Sequence, residues 1–228
     1  ARALEGKHDA ADSAALESIS AIVSAACLAH DMGNPPFGHS GERAISAFFS
    51  EGAGRQLEAR VRAEGGRWED FVHFEGNANA FRLLTHRFFG RRQGGFVMTY
   101  SMLASIVKYP FSSSLAGRHG KFGFFQTEAE DYRKIADELG LICKSKPGEP
   151  LKYARHPLVY LVEAADDICY EIMDIEDAHK LKILSFEETT HLLLGFFDED
   201  MRREITERIR EEGVTDNNEQ IVYMRASV

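Results

Sequence analysis

The chain has 228 residues, 44% of them hydrophobic and 28% charged, with a formal net charge of −9. That length supports one large domain with a real core, and the ordinary composition excludes low-complexity and fibrous classes. The acidic balance argues against a general nucleic-acid binder; an anionic small substrate would need a local cluster of cations or a metal to overcome the overall field.

No apolar run approaches the roughly 20 residues that span a bilayer, and residues 1–20 are too mixed and charged for a signal peptide. Cys27, Cys143 and Cys169 stand singly in apolar contexts. They read as reduced core cysteines of a cytoplasmic protein. Residues 1–6 read as the tail of a helix, and residues 220–228 start an apolar-periodic helix without a stop signal. Both ends therefore suggest a single domain truncated at each side.

In chain order, helical periodicity dominates. Leu16, Ile19, Val23, Ala26, Cys27 and His30 fall on one stripe, stopped by Gly33 and Pro35-Pro36. A second helix is predicted from about Gly41 to Phe49. Residues 53–70 are polar and irregular. A third helix runs from Glu75 to Phe88, followed by a loop with Arg91, Arg92, Gly94 and Gly95. A helix from Thr99 to Lys108 stops before Pro110. Residues 111–125 and 143–154 read as loops. Between them, Thr127 and Glu130 form a capping box for a helix reaching Leu139. A long helix starts near Pro157 and runs to about Asp177, with Leu161, Ala165, Ile168, Ile172 and Ile175 as its core stripe. Ser185 and Glu188 cap another helix ending at Gly195, and a last clear helix spans about Asp198 to Glu212. Strand alternation is nearly absent. The fold class is all-α: a helical bundle with long functional loops. Its core covers about residues 12–180, and a C-terminal helical part covers about 181–228.

The chemistry concentrates in "ACLAHDMGNPPFGHSGE", Ala26 to Glu42. His30 and Asp31 end an apolar helix, and neighbours about 100° apart can both reach one ion beside the helix end. Imidazole plus carboxylate suits Mn²⁺, Mg²⁺, Fe²⁺ or Zn²⁺. The ordinary alternative is a core histidine with one buried hydrogen bond, but an inward Asp needs a cation or several donors. His8-Asp9 is a second doublet, set aside because no apolar helix stands behind it. On the long helix Asp166, Tyr170 and Asp174 recur every fourth residue, one polar line beside a core. That pattern reads either as a solvated face or as the wall of a pocket.

These blocks match a family. "LAHDMGNPPFGHSGE", "HFEGNANAFRLLT", "IVKYP", "KFGFFQTEAE" and "YLVEAADDICYEIMDIEDA" resemble the HD-domain deoxynucleoside triphosphate triphosphohydrolases, the dGTPase-like group, across about residues 20–180. The resemblance implies a metal held by His30, Asp31 and Asp166, with a further histidine in an R-x-x-H segment upstream of residue 1. The metal would be Mn²⁺ or Mg²⁺, with Fe²⁺, Zn²⁺ or Co²⁺ as alternatives. It implies His39 as the catalytic histidine and Glu42 as the acid orienting it. Water would attack the α-phosphate, releasing deoxynucleoside and intact triphosphate. Tyr170 and Asp174 match sugar-contacting positions. His73 and Glu75 match a pocket-lining block, with a capped helix start as the alternative. Lys108, Arg118 and Lys121 are candidates for the triphosphate, with solvated loop charge as the alternative. A homo-oligomer and a nucleotide or single-stranded DNA effector also follow from the resemblance. The competing readings are an HD phosphohydrolase acting on another nucleotide and a nucleotide-sensing module with impaired chemistry.

Overall fold

The computed structural model describes residues 10–90 and 95–228, with side chains of the first helix from residue 16 onward. The His8-Asp9 doublet and the Arg91, Arg92 and Gly94 positions lie outside the described residues. Among the described residues the regular structure is helical, with three isolated bridges (Phe111–Lys152, Ser112–Phe124 and Cys143–Tyr153) and no strand. This agrees with the all-α expectation. Two compact units emerge, residues 1–163 and 164–228.

The first unit opens with α1 (Ala10–Ala29), which passes directly into a 3-10 turn, His30–Gly33. Its predicted stripe is seen: Ala26 and His30 are buried, Leu16, Ile19, Val23 and Cys27 are half-buried, and Ala29, outside the stripe, is buried as well. Then come α2 (Gly38–Ser50), α3 (Glu58–Ala63) and α4 (Glu69–Val72). Residues 53–70 are therefore more ordered than their polar pattern suggested. The reason is local: Arg60 pairs with Glu64 and Arg62 with Glu58 at i,i+4, while Trp68 is buried against Phe49 and Phe71. α5 (Gly76–Thr85), α6 (Tyr100–Ser105) and α7 (Ala129–Glu138) complete this part.

The core of this unit gathers Phe81, Leu84, Ile106, Phe124, Tyr132 and Tyr153. The Phe124 and Tyr132 rings stack with centroids 4.7 Å apart. Each such side chain contributes roughly 1.5–3 kcal/mol by leaving water. The predicted Thr127/Glu130 capping box does not form. Thr127 instead accepts from Arg82 at 2.9 Å and donates to Glu128 at 2.8 Å, a tertiary network that competes successfully with the local cap.

α8 (Val159–Lys180) begins two residues after Pro157, and the change between units falls inside it, after Glu163. Its core stripe differs from the expectation. Val159 and Val162 are buried, whereas Leu161 is 49% and Ile168 58% exposed. The segment carries apolar residues on more than one face, so periodicity alone does not select the packed one. Cys143 and Cys169 are likewise exposed, not core residues; only Cys27 is partly buried.

In the second unit, Ile172 and Ile175 of α8 pack on a core of Leu193, Ile205, Ile209, Ile221 and Met224. Those residues come from α9 (Phe186–Leu194), α10 (Glu199–Glu211) and α11 (Asn217–Ser227). The Ser185/Glu188 capping box is formed as predicted.

Candidate functional site

The 3-10 turn His30–Gly33 is the first fixed point. His30 is buried, and its Nδ1–H donates to the Cys27 carbonyl at 2.7 Å. That bond sets the tautomer and leaves Nε2 as the ring's ligating nitrogen. Nε2 lies 3.3 Å from Asp31 Oδ1. An imidazole nitrogen beside a carboxylate oxygen is a donor set that suits a divalent cation. The donor chemistry therefore fits a divalent metal. Within the first unit His30 and Asp31 each offer one ligand atom, an imidazole nitrogen and a carboxylate oxygen.

The turn is seated on α5 by close backbone approach. A Cβ on Gly33 would stand 2.0 Å from the Ala80 nitrogen and 2.1 Å from the Gly76 carbonyl oxygen, so only glycine fits. Asn79 Nδ2 donates to the Gly33 carbonyl at 2.9 Å.

Beyond Pro35-Pro36 the chain reverses through Phe37 (φ 68°) and Gly38 (φ 52°), both left-handed, and enters α2. Phe37 is a rare bulky residue in that region, held there two residues before His39. One face of α2 then presents His39, Glu42, Arg43, Ser46 and Ser50 to a cavity of about 450 Å³. His73, Glu75, Arg118, His119 and Lys121 line its other walls. The volume is within the range of about 300–1,000 Å³ typical of small-ligand sites.

At the cavity floor the charges are tightly paired. Glu75, 1% exposed, accepts from Ala78 N–H at 3.1 Å, Asn77 Nδ2 at 3.1 Å and Lys121 Nζ at 2.9 Å. It is the N-cap of α5, as the alternative reading of this residue held, and it also faces the cavity. Glu42 Oε1 accepts from Gly76 N–H at 2.7 Å, and Oε2 lies 3.8 Å from Lys121 Nζ. Burial works against the Lys121 charge, but the hydrogen bond to Glu75 and the charges of Glu75 and Glu42 outweigh it and hold its pKa above the ordinary lysine value. Glu42 thus engages Gly76 and Lys121, while His39 is exposed on the same face of α2.

The structure therefore brings His39, Glu42, His73, Glu75, Arg118 and Lys121 to one cavity. Lys108 lies past the end of α6 and does not line it. Tyr170 and Asp174 lie on α8 in the second unit, both exposed, and Asp166 is half-buried one turn earlier. Sequence reasoning missed Arg43, Ser46 and His119 as cavity residues. The i,i+4 step from His39 to Arg43 on a helix was the available signal.

No family model matches the chain. Curated relatives do. A deoxyguanosinetriphosphate triphosphohydrolase-like protein of Pseudomonas aeruginosa is 45% identical over 185 residues, covering 79% of this chain and 40% of that protein. A protein of the same name from Synechocystis is 41% identical over 191 residues, covering 80% and 43%. The deoxyguanosinetriphosphate triphosphohydrolase of Yersinia enterocolitica is 34% identical over 203 residues, covering 76% and 37%. The chain spans about two fifths of the length of these relatives.

Proposed function

We propose that this chain, which belongs to the dGTPase-like triphosphohydrolase family over about four fifths of its length, carries the hydrolytic centre of a metal-dependent dNTP triphosphohydrolase. The reaction is attack of water on the α-phosphorus with cleavage of the Pα–O5′ bond, giving deoxynucleoside and inorganic triphosphate. The observation that carries the reading is the single cavity that His39 lines together with Arg43, Arg118 and Lys121. Lys121 is balanced there by Glu42 and Glu75, so Arg43 and Arg118 are the cations offered to a polyanion.

In this reading His30 Nε2, Asp31 and Asp166 are the residues that would hold the ion. A bound Mn²⁺ or Mg²⁺ supplies charge neutralisation at the phosphate and lowers the pKa of bound water. His39, exposed at the cavity, moves the proton: the attacking water gives one up as its oxygen bonds to phosphorus, and the departing O5′ takes one as its bond breaks. Arg43 and Arg118 receive the triphosphate. Lys121 holds the Glu42–Glu75 pair together more than it contacts substrate, because both carboxylates already engage it. Tyr170 and Asp174 contact the sugar, with the carboxylate accepting from the 3′-OH and the phenol occupying the space a 2′-OH would need. His73 lines the wall.

The test is product analysis of the full-length protein with dGTP and Mn²⁺ in ¹⁸O-labelled water. Deoxyguanosine with the label in triphosphate is expected. Formation of dGMP plus pyrophosphate, or dGDP plus phosphate, refutes the reading.

A further inference from the structure

The metal-type turn is held by more than its own helix. Asn34 closes it with φ −65° and ψ 130°, the extended geometry required before Pro35. Its backbone N–H donates to the Asp31 carbonyl at 3.1 Å, and its side-chain Nδ2 donates to Asp31 Oδ1 at 2.9 Å. One residue thus ties down both the backbone and the carboxylate of Asp31. The opposite end of the Asn34 amide meets α5. A Cβ on Gly76 would lie 2.3 Å from Asn34 Oδ1 and 2.9 Å from Glu42 Oε1. Room for the Asn34 side chain therefore exists because residue 76 has none. The same Gly76 anchors Glu42 through its N–H at 2.7 Å.

We infer that Asn34 is a positioning residue for the metal centre: it aims the Asp31 carboxylate, and Gly76 is the residue that makes the aiming possible. The inference rests on the metal-binding reading of His30 and Asp31. Its physical basis is that a carboxylate rotates freely about its last bond unless one oxygen is held. A neutral amide donor holds Oδ1 without discharging the group, so its affinity for a cation is preserved while its plane is fixed. An aspartate at this position would fill the same space but could donate nothing, and would set a second negative charge against Asp31. Gly76 extends the device to the cavity, because the glycine that admits Asn34 also fixes Glu42 on α2. Asp31 and Glu42 are thereby registered to one point on α5.

The experiment is calorimetric Mn²⁺ titration of the full-length protein and four variants, His30→Ala, Asn34→Ala, Asn34→Asp and Gly76→Ala, with the melting temperature of each metal-free form. The expected result is that His30→Ala abolishes Mn²⁺ binding. Asn34→Ala and Asn34→Asp should both weaken it about 10–100-fold, with metal-free melting close to the parent. Gly76→Ala should reproduce that loss and add little to it when combined with Asn34→Ala. Parent-like or tighter Mn²⁺ binding in either Asn34 variant overturns the inference while the metal reading stands. So does a fall in metal-free melting temperature with affinity retained, which would make Asn34 a turn cap alone. If His30→Ala binds Mn²⁺ as the parent does, or the parent binds none, the metal reading fails and the inference falls with it.

Discussion

His39 stands one residue beyond two consecutive left-handed positions and faces the cavity without a buried anchor. In the proposed mechanism this residue moves the proton. His39→Ala is expected to lower kcat about 10²–10⁴-fold while leaving Mn²⁺ affinity unchanged. Near-normal turnover in that variant removes the residue from the mechanism. Lys121 is a different case. It is the cation between Glu75, 1% exposed, and Glu42, 9% exposed. Lys121→Met would strand two carboxylates, one of them fully buried. Loss of a partner from a buried pair costs about 3–5 kcal/mol, and about 2–3 kcal/mol is expected here because Lys121 keeps part of its water. The pH dependence follows from its raised pKa. The folded state binds this proton more tightly than the unfolded chain, so the contribution is fully present below the ordinary lysine value and is lost as pH rises through the folded one. Denaturant melts should therefore show the parent losing stability in that alkaline window and Lys121→Met losing less. Parallel curves would show that the ion pair contributes nothing.

At the scale of elements, α5 is the platform. Its N-terminal turn caps itself with Glu75, anchors Glu42 through Gly76 and accepts the metal-type turn against Gly33 and Ala80. Small residues are required there because two backbones meet. Gly33→Ala would drive a methyl group into backbone atoms 2.0 and 2.1 Å away, which no rotamer change relieves. Overpacking of this kind costs about 1–3 kcal/mol or more. The expected outcome is a lowered melting temperature together with weakened Mn²⁺ binding. A fully stable Gly33→Ala protein with normal metal affinity would mean that the turn and α5 are not in register as described. α2 contributes the complementary device. Residues 39, 42, 43, 46 and 50 share the helix face that lines the cavity.

For the whole molecule, the chain carries a net charge of −9, and its cavity brings Arg43, Arg118 and Lys121 together with Glu42, Glu51 and Glu75. Each compact unit has its own apolar core. The second also carries α8's Tyr170 and Asp174, both exposed. Asp174→Ala is expected to reduce the preference for dGTP over GTP, read as the ratio of kcat/KM values, by about tenfold with little change in melting temperature. Collapse of the fold with an unchanged ratio in the surviving enzyme would make Asp174 structural.

The sequence by itself determined the helical class and the Ser185/Glu188 cap, and it supplied the metal-type doublet and the histidine and glutamate beyond the turn as candidates. All of these are written in local spacing, where neighbours three and four apart must share a face. The relatives' names agree with the family that those motifs resemble. Only the tertiary structure decided what depends on packing between distant segments. Glu42 bonds Gly76, 34 residues away, and Lys121 bonds Glu75, 46 residues away. Thr127 serves Arg82 and not its own helix. Leu161 and Ile168 are left exposed while Val159 and Val162 are buried. A side chain's charge and periodicity are fixed by its neighbours in sequence. Its partner is chosen by which backbone can approach closely enough, and at Gly33 and Gly76 that choice rests on the absence of a side chain.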